Sequence, residues 1–358
     1  MIDLIQLFSN APPQDICLVR LSAIGDACHV LAVVRNINDN WPNARVTWII
    51  GKTEAALLGD IAGVEFIIFD KSKGRAAYRD IKQALAGRHF DVALCMHPSM
   101  RANRIYRLIP TRIRLGFDYR RAKDWQWLFT NRRIAARQRQ HILDGMMEFA
   151  RAIGSGPTPL RWDIPTRQDD REFAQKYAST RCLVISPCSS VRRRNFRNWP
   201  VERLVAVAQH AQDRHACRII ITGSNSALEH EYADRIAAES GADLVNLVGQ
   251  TTLKQSFALF AAADLVLCPD SGPAHMATAA GTPVIGLYAS TNPDRAGPYV
   301  SRALTVNRYP DAVEKYLGKR VEQVRWGERV RHPEVMSLIS VADVTAKVDS
   351  FFQTGAEA

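Results

Sequence analysis

The chain has no apolar run near the roughly 18 residues that a membrane-spanning helix needs; its longest, around Ser256–Pro269, is interrupted by Asp264. The opening residues Met1-Ile2-Asp3-Leu4-Ile5 carry no basic n-region of the kind that starts a secretory signal, so the expectation is a soluble, cytoplasmic protein. Cysteine is scarce. There are seven, an odd number, and no two stand at C-x-x-C spacing, which leaves no metal or redox motif of that type. Cys17, Cys95, Cys182 and Cys268 sit inside apolar runs, where a free thiol behaves as a small hydrophobe; they read as reduced core residues, and no metal is expected. The chain also lacks an internal sequence repeat, a D-x-D pair near a strand end, and any helix-turn-helix, zinc or RNP-type pattern. Its 47% apolar and 23% charged residues are ordinary globular usage and exclude a disordered or fibrous protein. At 358 residues there is room for two domains of roughly 150 residues, each with its own core.

Positive charge is in surplus. The formal net charge is +11, from 47 Lys and Arg against 36 Asp and Glu. Between Arg101 and Gln140 stand twelve basic residues, Arg101, Arg104, Arg120, Arg121 and Arg139 among them, against only Asp118 and Asp124. Trp125, Trp127 and Phe129 are interleaved with them. Such a block concentrates anionic partners: nucleic acid, an acidic membrane face or a phosphorylated substrate. A solvated basic face is the plainer reading of the same residues.

Short apolar strands alternate with helical patterns along the whole chain, which predicts a parallel sheet covered on both faces in each of two α/β halves. In the first half the predicted strands are 15–20, 45–50, 64–69 and 92–96, with helices at 26–37, 53–58 and 78–86. Gly154-Ser155-Gly156-Pro157-Thr158-Pro159 reads as the exit. The same grammar then restarts, with strands at 182–186, 217–222, 265–269 and 284–288 and helices at 201–211, 229–239, 253–262 and 273–280. The expected division is 1–165, 166–335 and a closing helix within 336–358, packing back on the first domain. In doubly wound sheets ligands bind beyond the carboxyl ends of the strands.

Three segments at such ends carry possible chemistry. In Cys268-Pro269-Asp270-Ser271-Gly272-Pro273-Ala274-His275 a buried strand ends and a helix starts with proline in its first turn. The free N–H groups and positive dipole of that helix end suit a phosphate, with Ser271 and His275 as added donors; equally, Asp270 or Ser271 simply caps the helix. In Ser186-Pro187-Cys188-Ser189-Ser190-Val191-Arg192-Arg193-Arg194-Asn195-Phe196-Arg197-Asn198-Trp199-Pro200, small hydroxyl residues and then several arginines suit a diphosphate, or form a solvated basic loop. In Leu21-Ser22-Ala23-Ile24-Gly25-Asp26, Gly25 allows close backbone approach. Asp26, at the mouth of a helix, is placed to accept a proton from a substrate hydroxyl or to act as a cap.

Taken together and in this order, these motifs resemble the bacterial heptosyltransferases, over nearly the whole chain. The resemblance implies two Rossmann-like lobes of the GT-B class facing a cleft, no metal, no cofactor beyond the sugar-nucleotide donor, and an inverting transfer of heptose from ADP-heptose. It implies that Asp26 is the catalytic carboxylate, with Ser22, Gly25, Arg101, Arg104, Arg120 and Arg121 on the acceptor side. On the donor side it implies Ser189 and Ser190 at the diphosphate and Arg197 where relatives often carry a phosphate-binding lysine. It further implies Asp270 near the donor sugar, Ser271, Gly272, Pro273 and His275 at the phosphate turn, Glu231 at the ribose, and Thr251 and Thr252 in an adenine-facing loop. The extra Arg192-Arg193-Arg194 resembles a branch acting on Kdo-lipid A. The arginine block then docks an acidic lipid acceptor at an anionic inner-membrane surface, and no nucleic acid is expected. The other readings are transfer to a later heptose or to a protein, and, in another class, a basic nucleic-acid-binding module.

Overall fold

The computed structural model describes residues 4–189 and 195–354. The chain divides into two units, Met1–Pro165 and Thr166–Ala358. The first holds β1 (Asp15–Arg20), β2 (Arg45–Gly51), β3 (Val64–Phe69), β4 (Val92–Leu94), β5 (Arg114–Gly116) and β6 (Arg132–Arg133). The second holds β7 (Cys182–Ile185), β8 (Arg218–Ile221), β9 (Leu244–Asn246), β10 (Leu265–Pro269), β11 (Val284–Tyr288) and β12 (Val306–Asn307). Each set forms one six-stranded, all-parallel sheet. The orders are β3-β2-β1-β4-β5-β6 and β12-β11-β10-β7-β8-β9. Within each unit this is the Rossmann order, whose direction of winding reverses between the first and fourth strands.

The sequence dictates the parallel arrangement through burial. β4, β7, β10 and β11 are buried at every position, as strands covered by helices on both faces must be. In the first unit Cys17, Val19, Ile49, Phe69, Ile81, Ala93 and Tyr106 pack into one layer of core. In the second, Leu183, Ile185, Trp199, Leu204, Ile219, Leu267 and Ile285 do the same. Full burial of each large apolar side chain is worth about 1.5–3 kcal/mol relative to exposure.

Several elements depart from expectation. The helix expected at 26–37 runs Ile24–Asn40 and the helix expected at 78–86 runs Arg75–Ala84. The helices Met100–Tyr106, Ile142–Ala152 and Gln168–Tyr177 were not anticipated; the first lies inside the arginine block, whose charge hides its apolar side. The closing helix is Val341–Thr354. It groups with the second unit, where it packs on the helix Val201–His215. All seven cysteines are free and buried, and burial pushes the thiols of Cys28, Cys217 and Cys268 up to about 12. Among the described residues no helix is long and apolar enough to cross a membrane.

Candidate active site

In the first unit the carboxyl ends of β1 and β4, neighbours at the reversal point, bring together residues far apart in sequence. Asp26 is in the first turn of the helix Ile24–Asn40, where its carboxylate accepts a 3.5 Å hydrogen bond from the Ala23 N–H. Capping is therefore one of its roles. The other partner is Arg20, the last residue of β1, whose guanidinium is ion-paired with Asp26. Arg20 is buried, and its Nη1 donates to the Met96 carbonyl at 2.8 Å. The Asp26 side chain keeps 29% of its surface open to solvent, so the carboxylate is fixed from behind and reachable from in front. Gly25 is buried and Ser22 is half-buried.

His97, just beyond β4, completes the group. Its Nδ1 accepts from the Leu21 N–H at 3.1 Å, and its backbone N–H and C=O both engage the Tyr106 hydroxyl, at 3.1 and 2.6 Å. Burial, and then the Arg20 charge, lower the imidazole pKa to about 3, so His97 is neutral at physiological pH with its proton on Nε2. Glu54, on the helix Lys52–Leu58, is also buried, and burial raises its pKa, opposed in part by Lys71 and Arg20. Neither Arg20 nor His97 was read as a site residue from sequence. The signal for Arg20 was a charged residue ending an otherwise apolar strand; for His97 it appears only once β1 and β4 are known to be neighbours.

In the second unit the ends of β7 and β10 occupy the equivalent reversal. Ser189 is buried; its N–H and hydroxyl lie 2.9 and 3.1 Å from Asn198 Oδ1, and the hydroxyl is 2.9 Å from Asn195 Oδ1. Asn195 Oδ1 in turn accepts from Arg197 Nε at 3.3 Å. Arg197 Nη1 donates to the Asp270 carbonyl at 2.8 Å and stands 3.5 Å from its carboxylate. Ser189, Arg197 and Asp270 are thus one connected group. The helix Gly272–Ala280 begins beside it with Pro273 in its first turn, and its N-cap, Ser271, makes no capping bond. The Ser271 hydroxyl donates instead to the Pro269 carbonyl at 3.0 Å. The capping alternative for Asp270 and Ser271 is thereby answered: one carboxylate faces Arg197 and the hydroxyl turns back on the strand. His275 is buried in the first turn. Ser190 and Arg192-Arg193-Arg194 lie outside the described residues.

Two further loops stand at the ends of β8 and β9. Glu231 is exposed on the helix Ala227–Glu239, whereas Glu229 is buried and accepts from the Ser224 and Ser226 hydroxyls. Burial, followed by the charges of Glu229 and Glu231, raises the Cys188 thiol to about 12. Thr251 is half-buried with its hydroxyl 2.7 Å from that of Ser256. Thr252 caps the helix Leu253–Ala262, accepting from the Gln255 N–H at 3.1 Å, so its side chain is committed to the fold. Gly249, at φ +71, places its α-carbon where a side chain would meet Asn225.

The arginine block splits by function. Arg121 is consumed internally: it is ion-paired with Asp118 and donates to Gln140 at 3.1 Å and to the Ala135 carbonyl at 2.7 Å. Arg114 holds the Tyr106 and Ile109 carbonyls, each at 2.8 Å. Arg101, Arg104 and Arg120 are exposed. Trp125 and Trp127 are 64% and 42% exposed, with Tyr119 and Leu128 exposed beside them. Phe129 is half-buried under the Arg107 guanidinium, 4.6 Å from the ring centre.

Two Rossmann-type units, one with an anchored carboxylate and one with Arg197 beside a helix start, fit the glycosyltransferases of the GT-B class. The chain belongs to glycosyltransferase family 9, the heptosyltransferases, whose family model matches residues 78–322. It is 38% identical over 344 residues to the lipopolysaccharide core heptosyltransferase OpsX of Haemophilus influenzae, covering 96% of this chain and 98% of that protein. Its fold resembles that of the family 9 glycosyltransferase from Veillonella parvula, with a TM-score of 0.76 at 20% identity over 95% of this chain and 97% of the other. The E. coli heptosyltransferase WaaC with ADP gives a TM-score of 0.68 at 20% identity, over 96% and 98% of the two chains.

Proposed function

We propose that this heptosyltransferase moves heptose from ADP-L-glycero-D-manno-heptose to a Kdo residue of the lipopolysaccharide inner core, carried on Kdo-lipid A, with inversion and without a metal. The observation that carries the reading is the anchored, part-exposed carboxylate of Asp26 at the β1–β4 reversal, ion-paired with buried Arg20. A sugar hydroxyl is a poor nucleophile at neutral pH, and a positioned base that takes its proton contributes about 10²–10⁴-fold. The hydroxyl oxygen attacks the anomeric carbon in line with the departing phosphate, the glycosidic bond to ADP breaks, and the hydroxyl proton passes to Asp26.

The leaving diphosphate gains charge as that bond breaks. Arg197 and the start of the helix Gly272–Ala280 are donors set before the reaction, with Ser189 beside them holding the Asn195 that orients Arg197, and such preorganised donors lower the barrier without reorganisation. Ser190 and His275 are assigned to the same anion, Asp270 to the donor sugar, and Glu231 and Thr251 to the nucleoside. Exposed Arg101, Arg104 and Arg120, with Trp125 and Trp127, suit an acidic lipid at the cytoplasmic face of the inner membrane, where each basic residue adds about 1 kcal/mol. The relative named as a core heptosyltransferase supports the acceptor class.

The test is donor competition among ADP-heptose, UDP-sugars and GDP-sugars, followed by addition of purified Kdo-lipid A. Selective binding of ADP-heptose and formation of a single β-to-α or α-to-β inverted product on Kdo is expected. Transfer only to an already heptosylated core would overturn the acceptor assignment; a retained anomer would overturn the mechanism.

A further inference from the structure

Away from the candidate active site, the second unit carries a compact group of metal-ligating side chains. His210 and His215 stand on the helix Val201–His215, and Asp349 on the closing helix Val341–Thr354. Both imidazole Nε2 atoms meet the same carboxylate oxygen, Asp349 Oδ1, at 2.7 and 2.6 Å. All three donor atoms lie within 4.8 Å of one another. His215 is buried against the Phe352 ring, whose centre is 5.2 Å away, while the side chains of His210 and Asp349 are 28% and 27% exposed. The cluster is therefore held by two packed helices and open to an ion from one side.

A tetrahedral ion with bonds of about 2.0–2.2 Å spaces its ligands by about 3.3 Å. Rotations that move each donor atom by less than about 1 Å open that space here. Two neutral imidazoles and one carboxylate suit zinc, while magnesium and calcium favour all-oxygen sets. We propose that His210, His215 and Asp349 bind one Zn²⁺, with water as fourth ligand. Each imidazole then gives its Nε2 lone pair to the ion and carries its proton on Nδ1, and the two hydrogen bonds to Asp349 are replaced by coordination. The ion takes no part in transfer. It clamps the closing helix to the helix Val201–His215, whose start is joined to the same chain segment by Trp199 Nε1 donating to the Ile339 carbonyl at 3.1 Å and Arg203 donating to the Ser337 carbonyl at 2.8 Å.

Untagged, full-length protein freed of metal with a chelator is titrated with Zn²⁺ against a chromophoric competitor, and with Co²⁺ by visible absorption. The expected result is one equivalent per chain, a tetrahedral Co²⁺ spectrum and a Tm that rises with Zn²⁺. Asp349→Asn and His210→Gln should each weaken binding about 100-fold or more. Glutamine at 210 keeps an N–H donor for Asp349, so its Tm in chelator should stay near that of the parent. Absence of saturable one-to-one binding, or an affinity in both variants equal to that of the parent, would overturn the proposal and leave a hydrogen-bonded clamp only.

Discussion

A buried arginine at the last position of a strand is costly unless its charge is met. Arg20 is met by Asp26 and by the Met96 carbonyl, and the same contacts aim the carboxylate. Asp26→Ala should retain ADP affinity and lower turnover by about 10²–10⁴-fold, measured by equilibrium binding and initial rates on one preparation; near-normal turnover would remove Asp26 as the base. His97 yields a pH prediction. Its folded pKa of about 3 lies below the ordinary value near 6.5. Between these limits the unfolded chain binds the extra proton, so the contribution of His97 is complete above about pH 6.5 and is lost as pH falls toward 3. Replacing His97 with asparagine keeps an acceptor for the Leu21 N–H and removes the titration. Thermal unfolding of that variant should depend less steeply on pH from 6.5 downward than that of the parent.

Within the elements, the basic segment 101–139 separates structural from available charge. Arg121→Ala breaks the ties to Asp118, Ala135 and Gln140 and should cost about 1–3 kcal/mol of stability, seen as a lower Tm. Arg101→Ala with Arg120→Ala changes exposed residues and should leave Tm within error while weakening sedimentation with anionic vesicles, more so at low salt. A fall in Tm for that pair would show the exposed arginines to be structural after all. The donor-side loop is tested by Arg197→Ala. Losing a charged hydrogen-bond donor there should raise the Kd for ADP about 10- to 100-fold, read by calorimetry.

The longer strands were legible because each is a short apolar run, buried at every position in β10 and β11; β3, β10 and β11 end where their sequence patterns end. The helix Met100–Tyr106 was not, since Ala102, Ile105 and Tyr106 supply its buried side within a row of arginines. β5, β6, β9 and β12 are two or three residues long, too short for any periodicity to register.

For the whole molecule, each unit has its own sheet and core, and the proposed donor contacts all fall within 166–358. Residues 166–358 produced alone should therefore fold and bind ADP with a Kd within about tenfold of the full chain. They should show no transfer, because Asp26 is on the other unit. Loss of ADP binding in a folded fragment would place part of the donor grip in residues 1–165. The sequence by itself determined the two α/β halves, the strand-end motifs and Asp26, because alternation, glycine and proline placement, and local charge are properties of neighbouring residues. Only the tertiary structure decided that Arg20 and His97 stand with Asp26, that Arg197 meets Asp270, and that Arg121 is spent inside its own loop. Those pairings depend on which strands lie side by side, and that order is set by packing between segments far apart in the chain.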